Sequence, residues 1–242
     1  VRKSSLLLFL LFCASGFLSA QKTSFSALGA GINRFGFSFH FRHYGEIKPN
    51  NNNFKPILDW GIELGNVQHP REVALLNTTF QNSGVYKLDK VNYNWNIRPS
   101  VFFRKPIYNR NDRKTVGMSG VLGAGIPLAL IWPVYVNVLQ VDGSGNQTFA
   151  RERYNPDVHP QSQINGRASF ANGMGEMSFI PGLSAQAGLE FSWGSFRSEA
   201  NILGFGLRVE AFPKKIPILH TAALNKAVFA SFYLNFAFGL GN

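Results

Sequence analysis

The sequence predicts an all-β fold: a closed, antiparallel up-and-down transmembrane β-barrel of about eight strands, with ten as the alternative count. Three observations carry that prediction. Apolar and polar residues alternate with period two in several segments, which puts successive side chains on opposite faces of a strand. No apolar run reaches the ~20 residues that a spanning helix needs. Phenylalanine is over-used, at 23 residues, beside 24 glycines and a mean hydropathy of −0.04, a profile that suits a two-faced sheet better than amphipathic helices.

Residues 1–20 read as a secretory signal. Arg2 and Lys3 make a positive start, Leu6 to Phe12 form an apolar run, and Ala14, Ser15 and Gly16 break it. Cleavage is expected after Ser19-Ala20, before polar Gln21; an uncleaved anchor helix is the alternative reading. The single cysteine, Cys13, lies inside this segment. A barrel domain of residues 21–242 would then carry no thiol for disulfides or cysteine-ligated metals.

The first predicted strand places Phe35, Phe37, Phe39 and Phe41 on one face, against Arg34, Gly36, Ser38, His40 and Arg42 on the other. Four phenylalanines in a column suit a lipid-facing side opposite a polar lumen. Leu58, Trp60, Ile62 and Leu64 then alternate with Asp59, Gly61, Glu63 and Gly65, and Tyr93 to Phe103 alternates with Asn92, Asn94, Asn96, Arg98 and Ser100. Val116 to Ile126 and Leu128 to Leu139 read as two strands bounded by Pro127 and bent by Pro133, since proline cannot donate to a ladder. Leu183 to Trp193, Leu203 to Ala211 and Val228 to Leu240 complete the set. A lipid-facing sheet must close on itself, because hydrocarbon offers no partner to an open backbone edge.

With the first of these strands running outward, external loops are expected at 45–54, 106–114, 140–177 and 213–225, the third being the longest. Turns around Pro127 and at Gly194-Ser195 would face the periplasm, and the long segment 66–91 fits neither class.

The formal charge of +11 falls to +9 when Arg2 and Lys3 leave with the signal. In an exported chain the expected counter-charges are lipopolysaccharide phosphates or an acidic envelope protein, not nucleic acid. Lumen-facing Arg34, Arg42, Arg98, Arg208, Glu63, Glu190 and Glu210 predict an internal ion-pair network. Arg104, Lys105, Arg110, Arg113 and Lys114 form a basic stretch that could dock phosphates or a partner, and Lys214-Lys215 is a smaller one.

Ser38, His40 and Glu46 are the only residues grouped as a hydrolase or acyltransferase set would be, with His43 on the opposite face and no nucleophile-elbow sequence. Packing charges in a narrow lumen is the competing reading of these groups. His69, His159 and His220 are isolated, so neither a metal site nor a cofactor is expected.

Four stretches resemble a family of uncharacterised outer-membrane β-barrel proteins of Bacteroidota: His69-Pro70-Arg71-Glu72-Val73, Asn165-Gly166-Arg167-Ala168-Ser169-Phe170, Phe179-Ile180-Pro181-Gly182 and Ala211-Phe212-Pro213-Lys214-Lys215-Ile216-Pro217. The resemblance implies location and fold and carries over no catalytic residue. Gly239-Leu240-Gly241-Asn242 departs from the terminal aromatic common in such barrels, with Phe236 and Phe238 nearby. The expectation is a non-enzymatic structural or accessory subunit of an envelope assembly, such as secretion or barrel-insertion machinery. A lipid A-modifying enzyme and a small-solute channel are the alternatives.

Overall fold

The computed structural model describes residues 24–45, 56–80, 82–108, 115–141, 143–194 and 200–240. The expected signal segment (residues 1–20, with Cys13), Glu46, Arg110, Arg113 and Lys114 lie outside the described residues.

Eight strands form a closed antiparallel ring: β1 (Phe25–Asn33), β2 (Gly36–Tyr44), β3 (Ile57–Asn66), β6 (Asn92–Tyr108), β7 (Gly117–Gly125), β13 (Leu183–Gly194), β14 (Ala200–Ala211) and β15 (Val228–Leu240). The pairing of β6 with β7 closes the ring, so the wall of the barrel has no free edge. Paired residues run from Ala27 through Arg42, Gly61, Ser100, Gly125, Ser184 and Glu210 to Phe229. That point is four positions from Tyr233, the partner of Asn33, so the ring closes with an offset of ten residues. Such a stagger tilts the strands by roughly 40° and leaves an interior that side chains fill.

Two further strands, β8 (Leu128–Pro133) and β12 (Ser178–Pro181), continue β7 and β13 beyond one end of the ring. The register does not change across the joints: β8 pairs with the first half of β6, and β12 pairs with β8. Gly182 donates to the Pro127 carbonyl (2.8 Å) and Ile126 to that of Pro99 (3.2 Å), which carries the ladder through the proline. Pro127 therefore interrupts one strand and does not turn the chain between two.

That finding corrects the strand assignment. The expected hairpin at Pro127 does not exist, and an unforeseen strand, β1, precedes the Arg34-Phe35 turn. The two errors cancel in the count and not in the sidedness. The ends of β2, β6 and β13 and the starts of β3, β7 and β14 share one rim with the start of β1 and the end of β15. Arg34-Phe35, 67–91, 134–177 and 212–227 share the other. The four loops expected on one side are thus divided between both.

The far rim carries a folded cap. β4 (Val73–Leu76) pairs with β5 (Val85–Leu88), and β9 (Tyr135–Val141) pairs with both β10 (Gln147–Arg153) and β11 (Ile164–Arg167). Gly84 donates to the Asn165 carbonyl (2.7 Å), joining the two small sheets. A Cβ on Gly166, whose φ is +138°, would lie 2.6 Å from the Gly84 carbonyl oxygen, so the joint requires glycine there. Tyr86, Val136, Val138, Tyr154 and Ile164 form the buried core of the cap.

Beneath the cap, residues 212–227 close the end of the barrel. Ile216, Ile218 and Leu219 are fully buried against Phe35, Phe212 and Phe229. The Asn225 carboxamide holds this segment, accepting from Ile218 N (3.1 Å) and Leu219 N (2.9 Å) and donating to Leu219 O (2.7 Å).

Candidate functional site: the filled lumen and its cap

Period-two alternation sorts the wall as its sequence predicts, except at Phe35, which falls in the β1–β2 turn and is buried against the plug and not on the outer face. Outward residues include Leu28, Ile32, Phe37, Phe39, Leu58, Trp60, Ile62, Phe103, Leu122, Leu207 and Phe238, all exposed, with Phe232 the extreme at 74%. Inward residues are buried and mix charged and polar groups with an apolar cluster of Ala27, Tyr44, Ala200, Ile202 and Ala237.

The lumen holds two ion-pair groups. In the first, Asp59 (0% exposed) accepts from Arg42 (2.8 Å), from Arg104 (2.9 and 3.2 Å) and from Gly45 N (2.7 Å). Arg42 also pairs with Glu190 from the far wall, and its guanidinium lies 4.0 Å from the Phe102 ring centroid and 4.7 Å from that of Tyr44. In the second, Glu63 receives both guanidinium nitrogens of Arg208 (2.8 and 2.6 Å) and one from Arg98 (3.3 Å). Arg98 in turn binds Glu210 (2.6 and 3.3 Å). Four arginines face four carboxylates: Arg42–Glu190, Arg98–Glu210 and Arg208–Glu63 span the lumen between strands that are not neighbours in the ring, and the other pairs join adjacent strands. Buried charges are tolerated when they are paired and hydrogen-bonded in this way.

Between the groups lies a cavity of about 30 Å³, lined by His40, Arg42, Glu63, Gln186, Tyr233 and Asn235 among others. It has room for about two water molecules. His40 Nδ1, Arg42 Nε and Asn235 Oδ1 at its lining have no protein partner.

Six of the predicted network residues are therefore brought together: Arg42, Glu63, Arg98, Glu190, Arg208 and Glu210. Arg34 is not among them. It lies exposed in the β1–β2 turn, its guanidinium 5.9 Å from the Phe35 ring centroid, because an added strand before it moves it out of the wall. Asp59 and Arg104 were not foreseen as partners, although their positions on the polar face of their strands were readable. Arg104 consequently leaves the predicted basic docking stretch for the lumen, and Lys105, one residue on, is exposed on the other face.

Ser38 and His40 both face the lumen, with Ser38 2% exposed, and no hydrogen bond joins them. His43 points outward and bonds Ser26 Oγ (3.1 Å). No group of three or more metal-ligating residues occurs among the described residues.

The His69-Pro70-Arg71-Glu72 stretch is a staple between cap and plug. Glu72 accepts from His69 N (2.8 Å), Lys90 (2.8 Å) and Lys87, while the His69 ring reaches the Leu224 carbonyl (3.1 Å). Burial pushes the Glu72 carboxyl up, but Lys90, Lys87 and the His69 amide outweigh it and hold it below its ordinary value. Val91 and Asn92 donate to Ile218 O (3.0 and 3.3 Å), completing the seam.

No protein-family model matches the chain, and no curated protein matches it. Among solved structures, Neisserial surface protein A (NspA) is similar at a TM-score of 0.41 and 12% identity, over 93% of this chain and 100% of that one. The fold is a closed eight-stranded barrel. That assignment rests on the chain's own unbroken ring of strand pairs.

Proposed function

We propose that this chain is a non-enzymatic β-barrel of a Gram-negative outer membrane, serving as a structural or accessory subunit of an envelope assembly such as secretion or barrel-insertion machinery. One observation carries the reading: the wall is inverted relative to a water-soluble barrel, with charge neutralised inside and large apolar side chains exposed outside. Strands of nine to thirteen residues, such as β1, β3, β14 and β15, suit the ~9–11 residues of a tilted transmembrane strand. The aromatic group Tyr93, Trp95, Trp132 and Phe170 lies where the wall meets the cap, as an interfacial belt would.

In this reading the rim with the shorter connections faces the periplasm and the cap faces outward. The cap is the surface for partners, since it leaves Val73, Leu76, Val85 and Phe149 exposed. Crosslinking in intact cells followed by mass spectrometry tests the assembly role. Recovery of adducts through cap residues supports it, and a lone monomer under every condition removes it.

A further inference from the structure

The cap-side rim is uneven. Over β6, β8 and β12 it is aromatic, whereas over β14, β15, β1 and β2 it is cationic. Lys214, Lys215 and Lys226 are exposed on one short hairpin, held by Phe212 N to Ala227 O (2.8 Å) and Ile216 N to Lys226 O (2.9 Å). Arg34 is exposed at the neighbouring β1–β2 turn, which is tied to the base of this hairpin by Phe35, whose ring packs on Phe229 (5.4 Å), and by Phe229 on Phe212 (6.1 Å). None of the four cations forms an ion pair among the described residues, whereas every lumen arginine does.

Below Lys226, on β15, runs an exposed apolar face of the wall. Lys226, Val228, Ala230 and Phe232 are exposed at every second position. Leu234 pairs with Ile32 on one side and Phe205 on the other, and Ile32 pairs with Phe37, so four strands contribute one continuous apolar row. A cluster of unneutralised cations set over apolar strands matches an amphiphile with anionic head and several acyl chains.

We propose that Arg34, Lys214, Lys215 and Lys226 bind the phosphates of a multiply phosphorylated, multiply acylated glycolipid of the outer leaflet, with its chains along Phe232, Leu234 and Ile32. The site rests on the membrane reading above and assigns that reading a lipid class and a side of the barrel.

The test reconstitutes the full barrel in phosphatidylcholine nanodiscs doped with bisphosphorylated lipid A or with its dephosphorylated form. Lipid retained after detergent extraction is counted by native mass spectrometry. Retention of the phosphorylated form alone is expected, with a loss on the order of fivefold for each charge removed in the series Arg34→Gln, Lys214→Gln, Lys215→Gln and Lys226→Gln. A heat-shift gel checks that each variant remains folded. Equal retention by the folded fourfold variant, or of the dephosphorylated lipid, overturns the proposal. Displacement by inorganic pyrophosphate would remove the acyl half of the site. A wild-type chain that never enters the bilayer overturns the membrane reading, and this site falls with it.

Discussion

Asp59 is the residue on which the lumen depends most. It is fully buried and neutralises two arginines from different strands while accepting from the Gly45 amide. Asp59→Asn leaves those guanidinium groups short of one counter-charge in a low-dielectric interior. The expected loss is about 3–5 kcal/mol, the usual cost of breaking a buried pair from one side. Urea titration of the barrel in detergent, followed by Trp fluorescence, measures it, and a loss under 1 kcal/mol would show that water already solvates the pair. Gly166→Ala is expected to disrupt the cap by its collision with Gly84 and to spare the wall, which protease sensitivity confined to residues 67–91 and 134–177 would reveal.

At the scale of elements, the Glu72 staple gives the β4–β5 hairpin a pH response. Its carboxyl is held below the ordinary value of 4.5, so its stabilisation is complete above that pH and is lost as pH falls through the lowered value. Protection factors of the β4 and β5 amides, taken against the intrinsic rate at each pH, should therefore fall on acidification below about pH 4.5, and those of Glu72→Gln should be low at both ends of the range. Much of the wall was legible because its alternation is strong: β2, β3, β6, β13, β14 and β15 each declare a polar and an apolar face. β1 was not, since Ala27, Gly29, Ala30 and Gly31 are too small to register as either. Pro127 misled for a physical reason. Proline removes one donor, and here Gly182 and Ile126 supply the neighbouring bonds that keep the strand in register. The cap sheets are short and joined by a Gly–Gly contact, which no local pattern announces.

For the molecule as a whole, paired arginines fill the lumen around a small central cavity, and Ile216, Ile218 and Leu219 plug its cap end. Planar-bilayer recordings should accordingly show no steady conductance. An open level would require the plug to leave, and Asn225→Ala, which removes three bonds from it, should be the variant that first shows one. A heat-modifiable band in the membrane fraction is expected from the closed ring, and a species that migrates identically before and after boiling counts against it.

The passage of β7 into β8 and of β12 into β13 without any change of register has a mechanical corollary. Tension applied to β9 is conveyed through Val134 straight into the β8–β7 stave of the cylinder, whereas the turns of residues 168–177 stand between β11 and the β12–β13 stave. Anyone who transplants this headpiece onto another scaffold must carry the protruding stave ends along with it.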